Sequence, residues 1–274
     1  MVVLELKRAG APWPLMLCIL LLGWTANLHH SPISFADLFS GEQAQANALM
    51  EAGKVGHAHD IKHGPAFDIL GASGFALALN SALRLRHHAI CPLGPVCSSW
   101  VWVNRNSSGR SYLNPLGSAG VDYVENANCM VSRVVAILLI ITYRCSTWIV
   151  EQPLSSLMFR HPRWQYLIRL AHENGWKIHR VVTYLGSFGA ATRKPILLYS
   201  NNHGLLAKVW RPMPLSHRGK RRGLVKRTVD KRTGKVAVTG IKKLLRESQW
   251  GSWLFVKHCD VKSCELACFE FKLA

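Results

Sequence analysis

The chain has 274 residues, and 49% of them are hydrophobic. This length and composition are sufficient for one sizeable hydrophobic core and exclude a chain that is too polar to fold. Lys and Arg number 34 against 15 Asp and Glu, which gives a formal net charge of +19. This charge points to a polyanionic partner, either nucleic acid or an acidic membrane surface. A basic protein without such a partner is the alternative.

The eight cysteines are scattered along the chain, and several lie in apolar runs. This pattern favours free thiols in a reducing compartment over a disulfide framework. Cys259, Cys264 and Cys268 follow His258, but their spacing matches no paired C-x-x-C pattern, so no metal site is predicted. The expected location is nuclear or cytoplasmic.

The N-terminal segment, residues 1–33, is predicted to be a separate leader. Lys7 and Arg8 precede an apolar run over residues 13–24, which resembles a signal peptide or a short anchor. Twelve residues are fewer than the roughly 20 needed to span a bilayer. Because the run nevertheless resembles a signal peptide or an anchor, a membrane-anchored or secreted protein is an alternative, with membrane contact through residues 13–24. A second apolar run, Val134 to Tyr143, is interpreted as a buried helix.

Strand-like and helix-like segments alternate over residues 34–202, the predicted core. This alternation predicts an α/β fold with a mostly parallel sheet and helices on both faces, where ligands bind at the carboxyl ends of the strands. A polar loop is expected over residues 104–109. The predicted strands are 35–39, 55–58, 67–70, 89–93, 147–150, 177–184 and 196–199, and the predicted helices are 43–52, 75–86, 121–143 and 162–175.

Acidic residues follow the first predicted strands at a spacing typical of a nucleotide site. The turn D-L-F-S-G, Asp37 to Gly41, allows the backbone to approach a ligand closely. Asp60 comes 23 residues later, where a carboxylate can accept hydrogen bonds from ribose hydroxyls. Asp68 is a candidate for the adenine side, or a residue that caps a turn. Together they indicate a cofactor that contains adenosine.

Two further motifs carry candidate catalytic residues. Cys97 lies in G-P-V-C-S-S-W just beyond a strand, where a thiolate can be exposed as a nucleophile. Glu151 follows a hydrophobic strand in I-V-E-Q-P, and partial burial there would fit it to donate a proton. Arg193 and Lys194 precede the last strand and could bind a phosphate or orient the acid, or form a surface pair.

The order of these motifs over residues 35–201 resembles that of the cytosine-5 DNA methyltransferases. The resemblance implies a Rossmann-like methyltransferase sheet that uses S-adenosylmethionine. It also implies that Cys97 attacks cytosine C6, that Glu151 protonates the ring at N3, and that Arg193 supports the acid and the flipped base. The cofactor would be bound by Asp37, Phe39, Gly41 and Asp60.

The chain departs from this family at several positions. Val96 stands where the family has proline, Glu42 follows the turn where the family has further glycine, and Gln152 replaces an asparagine. These departures leave a catalytically inactive nucleic-acid-binding protein as the alternative. The C-S-S-W-V-W-V-N-R and E-Q-P elements also resemble methylase-like proteins of dinoflagellate algae.

The C-terminal extension, residues 203–274, is predicted to be basic and partly disordered. Between Lys208 and Arg246 the chain has 14 Lys and Arg and one acid, Asp230. Such a segment gives salt-sensitive contacts to phosphates without reading sequence. Nucleic acid, DNA more than RNA, is the expected partner. A nuclear-targeting signal and a solvated tail are the alternatives.

Overall fold

A computed structural model describes residues 2–8, 10–21, 31–188, 190, 193–212, 225–229 and 236–240. Within these residues the helices are α1 (Val2–Arg8), α2 (Trp13–Leu21), α3 (Ala44–Glu51), α4 (Ala72–Arg84), α5 (Arg105–Ser108), α6 (Asp122–Tyr143), α7 (Pro162–Glu173) and α8 (His203–Val209). The strands are β1 (Ile33–Leu38), β2 (Gly56–His59), β3 (Leu85–Leu93), β4 (Thr147–Pro153), β5 (His179–Tyr184), β6 (Pro195–Ser200), β7 (Val225–Val229) and β8 (Val236–Gly240).

Six strands form one sheet in the order β2-β1-β3-β4-β6-β5. The pairs β1–β2, β1–β3 and β3–β4 are parallel, whereas β6 is antiparallel to both β4 and β5. The carboxyl ends of β1 to β4 and the amino end of β6 therefore meet at one edge of the sheet. This edge is where a doubly wound α/β fold binds its ligands.

Helices cover both faces of the sheet because successive strand residues point to opposite sides. Trp148 and Val150 of β4 join the main core with α4, α6 and α7, whereas Ile149 packs with α8. On that second face Phe35 packs against α3. The α/β class with helices on both faces is thereby confirmed, consistent with the Rossmann-like methyltransferase sheet that the motifs imply.

Two details of the predicted elements are wrong. Residues 67–70 form no strand, because the chain passes through 3₁₀ turns over Ile61–His63 and Pro65–Phe67 instead. Residues 104–109 are not simply a loop, since α5 lies within them. The sheet is mostly parallel, as predicted, and is mixed on one side, where β5 and β6 are consecutive strands paired as an antiparallel hairpin.

Helix α6 is long and apolar enough to cross a membrane by length and composition. In the structure it lies in the main core, where Val134, Ile137 and Leu138 have almost no exposed surface. This packing agrees with the interpretation of the Val134–Tyr143 run as a buried helix.

The segments that flank the predicted core also contact the sheet layers. Leu6 of α1 and Met16 of α2 are buried in the main core, and Leu205 of α8 is buried on the other face. In the basic extension β7 pairs with β8 as a two-stranded hairpin. The rest of the predicted extension beyond residue 212 lies outside the described residues, as do residues 22–30 of the leader. The domain boundaries stay predictions.

Candidate active site

A cavity of about 1080 Å³ opens at the carboxyl edge of the sheet. Its wall combines the loops after β1, β2 and β3 with the end of β4 and the start of β6. The cavity is large enough for a nucleotide-sized ligand. Seven of the eight predicted site residues line it, namely Asp37, Phe39, Gly41, Asp60, Asp68, Cys97 and Glu151.

The turn after β1 has an unusual backbone conformation. Phe39 has a φ of 64° and Gly41 a φ of 53°, both in the left-handed region. Glycine adopts this region freely, whereas for phenylalanine it costs on the order of 1 kcal/mol and requires support from its surroundings. Asp60 provides that support, because its Oδ2 accepts a hydrogen bond from the Gly41 amide at 2.8 Å.

Asp60 therefore has a structural task beside its predicted role. Its Oδ1 accepts a second hydrogen bond, from the Lys62 amide at 2.9 Å, and so caps the following 3₁₀ turn. Each carboxylate oxygen has two lone pairs, so each retains one acceptor site for a ligand hydroxyl. The geometry leaves Asp60 able to hold a ribose while it joins the β1 and β2 loops.

Asp37 is the most deeply buried of the predicted cofactor residues, with 3% of its surface exposed. Burial raises the pKa of Asp37 to about 7. A hydrogen bond from the Ala46 amide opposes this increase, and the nearby charge of Asp60 adds to it. The Ala46 nitrogen lies 3.2 Å from Oδ2. Near neutral pH the carboxyl group is therefore partly protonated and can donate a hydrogen bond into the cavity.

We expect Asp37→Asn to gain stability relative to the wild type as the pH rises. The folded pKa of Asp37 lies above its ordinary value of 3.8, so the folded state binds a proton that the unfolded chain has released. This group therefore lowers the wild-type free energy of unfolding progressively from about pH 4 to pH 7, and asparagine removes the effect. Urea unfolding at pH 5 and pH 8 should show a relative gain of about 2 kcal/mol.

Asp122→Asn is the matched control, because it makes the same change at an exposed position of α6. A stability difference between Asp37→Asn and the wild type that stays constant or falls over this range would contradict the ionisation assigned to Asp37.

Two buried polar atoms in the cavity wall have no hydrogen-bond partner within the described part of the chain. They are the Oγ of Ser40 and the Nδ1 of His59. His59 is fixed through its other nitrogen, Nε2, which lies 2.8 Å from the hydroxyl of Ser81. Buried polar atoms are normally satisfied, so this wall fits a polar ligand that completes their hydrogen bonds. The residues present therefore suit the hydroxyl-rich and amine-bearing cofactor that the motifs imply.

The chemistry-bearing residues meet at the other end of the cavity. Cys97 lies in the loop after β3, and Lys194 directly precedes β6. Glu151 lies in β4, two residues before the strand ends at Pro153. Burial raises the pKa of the Cys97 thiol, the charge of Lys194 lowers it, and the charge of Glu151 raises it. The pKa of the thiol thus responds to a cation and a carboxylate whose effects oppose each other.

The two charged neighbours are expected to move the Cys97 pKa in opposite directions. Lys194→Met removes the cation and should raise the pKa, whereas Glu151→Gln removes the anion and should lower it. The pH dependence of iodoacetamide alkylation, followed by mass spectrometry of the peptide that contains Cys97, measures both shifts. Lys177→Met, which changes an exposed lysine, is the control. Shifts of the same sign in the two variants would contradict the arrangement.

Gln152 holds the Cys97 loop against the sheet. It is 1% exposed, its Nε2 donates to the carbonyl of Pro95 at 2.5 Å, and its Oε1 accepts from the Ser156 hydroxyl at 2.9 Å. Val96, which follows Pro95, points largely to solvent with 54% of its surface exposed. The side chain of Gln152 therefore anchors the loop at the residue before the position where the resembled family has a rigid proline.

Arg110 holds the other end of this loop. Only 2% of it is exposed, and its guanidinium carbon lies 3.5 Å from the centre of the Trp100 ring. Its nitrogens donate to the carbonyl and hydroxyl oxygens of Ser99, to the carbonyls of Pro115 and Val124, and to Oδ1 of Asn128. Burial lowers the pKa of Arg110 to about 10, and nearby Tyr123 raises it, so the side chain stays charged at neutral pH.

The predicted residues differ in how closely their positions suit their expected roles. Asp68 accepts a hydrogen bond from the Leu70 amide at 2.9 Å and so caps a turn, which was its alternative interpretation. Arg193 is partly exposed and does not line the cavity, whereas its neighbour Lys194 does. The role of Arg193 stays a prediction. The sequence motifs did not predict roles for His59, Arg110 or Gln152. Of these three residues, only Gln152 lies in one of the motifs, directly after Glu151.

No protein-family model matches the chain, and neither does any curated protein sequence. Among solved structures the chain is similar to the S. pombe Dnmt2 methyltransferase, with 10% sequence identity and a TM-score of 0.38. The match covers 62% of this chain and 49% of that structure, so the chain spans about half the length of the protein it matches. The function proposed below therefore stands on the geometry of the cavity and on the motifs.

Proposed function

We propose that the protein is an S-adenosylmethionine-dependent methyltransferase that acts on cytosine in nucleic acid, with Cys97 as its nucleophile. The observation that supports this most strongly is the single cavity that contains both sets of predicted residues. Asp37, Phe39 and Asp60 lie in one part of its wall, and Cys97 and Glu151 lie in another. A methyl donor and a base bound in the same cavity could therefore react without leaving the protein.

The cofactor half of the cavity would hold S-adenosylmethionine through its own polar groups. Asp60 retains acceptor sites for the ribose hydroxyls, and the buried Ser40 hydroxyl and His59 Nδ1 offer further hydrogen bonds. When bound, this cofactor supplies a methyl group on a positively charged sulfur. Asp37, when ionised, adds a negative charge at the base of the site that favours a cationic ligand.

The other half of the cavity would activate the base. Glu151 would donate a proton to N3 of cytosine, and the Cys97 thiolate would form a bond to C6, so that C5 becomes nucleophilic. Transfer of the methyl group to C5 would break its bond to the cofactor sulfur and leave a neutral thioether. The C5 proton would then pass to water, the N3 proton would return to Glu151, and cleavage of the C6–sulfur bond would release the Cys97 thiolate and restore the aromatic ring.

The experiment is methyl transfer from radiolabelled S-adenosylmethionine to single-stranded and duplex DNA and to RNA. Each is tested with cytosine and with 5-fluorocytosine, which has no proton to lose at C5 and so keeps the protein attached at C6. The proposal predicts labelled 5-methylcytosine from the first and a covalent complex from the second. Absence of both, with a folded protein that binds the cofactor, would contradict a cytosine methyltransferase.

A catalytically inactive nucleic-acid-binding protein is the second candidate. It is favoured by one observation, which is that burial raises the pKa of Cys97 and disfavours the thiolate in the free protein. In that case Cys97→Ser would leave nucleic-acid binding unchanged, and truncation after Pro212, which keeps the buried Val209 of α8, would abolish its salt-sensitive part.

A further inference from the structure

We propose that an exposed surface beside the cavity binds the unpaired bases of single-stranded nucleic acid by stacking. This surface, called here the Tyr112 platform, consists of Arg105, Tyr112, Leu113 and Arg160, and Trp102 precedes Arg105 by one 3₁₀ turn. The inference deepens the proposed function by naming the form of the nucleic-acid substrate. It rests on that function only for the class of the partner.

The platform and the neighbouring Trp102 expose large apolar side chains to an unusual extent. Trp102 is 53% exposed, Tyr112 is 64% exposed and Leu113 is 98% exposed. Isolated exposed residues of this kind are common, but a cluster of them marks an interaction surface. Aromatic rings that remain largely open to solvent can accept the flat face of a base.

Two arginines lie against the central ring of the platform. The guanidinium carbon of Arg160 is 5.1 Å from the centre of the Tyr112 ring, and that of Arg105 is 5.7 Å from it. An arginine can stack on a base and contact a phosphate at the same time, so it extends an aromatic platform toward the backbone of a nucleic acid. Tyr112 retains most of its surface despite both contacts.

The platform is joined to the Cys97 loop by short backbone contacts. The Trp100 amide donates to the carbonyl of Cys97 at 2.9 Å, and the Leu157 amide donates to the carbonyl of Trp100 at 3.0 Å. Arg160 continues from Leu157 in a 3₁₀ turn, through a hydrogen bond from its amide to the Leu157 carbonyl at 2.9 Å. A strand that stacks on Tyr112 would therefore lie beside the loop that carries Cys97.

The charge of the surrounding loops suits a polyanion. Residues 94–121 contain two arginines and neither Asp nor Glu, and residues 154–172 contain three arginines and neither Asp nor Glu. Of these five arginines, Arg110 is buried, whereas Arg105 and Arg160 lie against the Tyr112 ring. A phosphate backbone meets no like charge from these two segments.

The exposed rings and the neighbouring arginines together favour binding of a single strand over binding of a duplex. In a duplex the flat faces of the bases are covered by their neighbours, so exposed Trp and Tyr rings would find nothing to stack on. A base in a single strand can stack on the platform, while an adjacent base enters the cavity without the cost of unpairing.

The test compares the affinity of the full chain for a fluorescein-labelled single strand of about 12 nucleotides with that for an abasic strand of the same length. Fluorescence anisotropy is measured without cofactor, so no activity is required. The wild type should bind the strand with bases more tightly. Tyr112→Ala should raise the Kd for this strand about tenfold and leave the Kd for the abasic strand unchanged.

Two variants separate stacking from loss of structure. Tyr112→Phe keeps the ring and should bind like the wild type, and Tyr166→Ala, which removes a partly exposed tyrosine of α7, should also leave both affinities unchanged. Equal weakening toward both strands in Tyr112→Ala would overturn the proposal. So would a wild type that binds both strands equally, which would leave this surface to a protein partner. Either result leaves methyl transfer to be tested by its own assay.

Discussion

Cys97→Ser is expected to form no covalent complex with nucleic acid that contains 5-fluorocytosine, and its methyl transfer should fall about 1000-fold or more. The reason is chemical, because a serine hydroxyl is a far weaker nucleophile than a thiolate at neutral pH. It is also geometric, because Cys97 lies in the same cavity wall as Lys194 and Glu151, and no other cysteine lines that cavity within the described residues. Denaturing gel electrophoresis of the labelled complex measures the adduct.

Cys129→Ser is the matched control, since Cys129 is an exposed thiol of α6 that does not itself line the cavity, and it should change nothing. Glu151→Gln provides a second comparison, because it keeps the thiol but cannot protonate N3, and so should also lose the covalent complex. An adduct that persists in Cys97→Ser would assign the attack to a different residue.

Arg110→Ala is expected to lower the free energy of unfolding by about 3–5 kcal/mol. The change deletes a buried cation stacked on Trp100 and leaves the carbonyls of Ser99, Pro115 and Val124 without their donor. Each buried acceptor without a partner costs on the order of 1–3 kcal/mol, and part of this is recovered where water reaches the opened site. Urea unfolding followed by tryptophan fluorescence measures the loss.

Arg163→Ala serves as the comparison for Arg110, because Arg163 is exposed on α7 and its removal should change stability by less than about 0.5 kcal/mol. Arg110→Lys keeps a charge but not the fork of donors, and it should fall between the two. A variant Arg110→Ala as stable as Arg163→Ala would show that the loop after Cys97 does not depend on this side chain.

The elements that position the site could be predicted where the local pattern was strong. Local sequence patterns, either apolar periodicity or turn residues, mark three of these elements. They are strand β1 with its turn at Gly41, strand β3 before Cys97, and helix α6. The convergence of Asp60 and Cys97 on one cavity follows from parallel strands that end at the same edge.

The contacts that hold the site could not be predicted, because they join residues far apart in the chain. Gln152 reaches the carbonyl of Pro95 across 57 residues, and nothing in the sequence near either residue indicates the pairing. Arg110 has the composition of a surface loop on both sides, yet it is buried because five oxygens surround it. Long-range hydrogen bonds of this kind appear only once the sheet order is known.

Lys194 illustrates the same limit within a motif. Arg193 and Lys194 were equivalent as neighbouring cations, and the resemblance implied a role for Arg193. Which of two adjacent residues faces a cavity depends on the register of the following strand, where neighbours point to opposite sides. In the structure β6 begins at Pro195, and Lys194 is the residue of the pair that lines the cavity.

Isothermal titration calorimetry with S-adenosylmethionine tests whether this cavity binds the cofactor. Binding should be saturable at one molecule per chain, and it should be at least about tenfold weaker in Asp60→Ala, which loses both the ribose acceptor and the hydrogen bond to Gly41. Glu51→Ala, which removes an exposed carboxylate at the end of α3 that does not line the cavity, should bind like the wild type. A folded wild-type chain that shows no binding at about 1 mM ligand, or an affinity unaffected by Asp60→Ala, would contradict the assignment of this cavity to the cofactor.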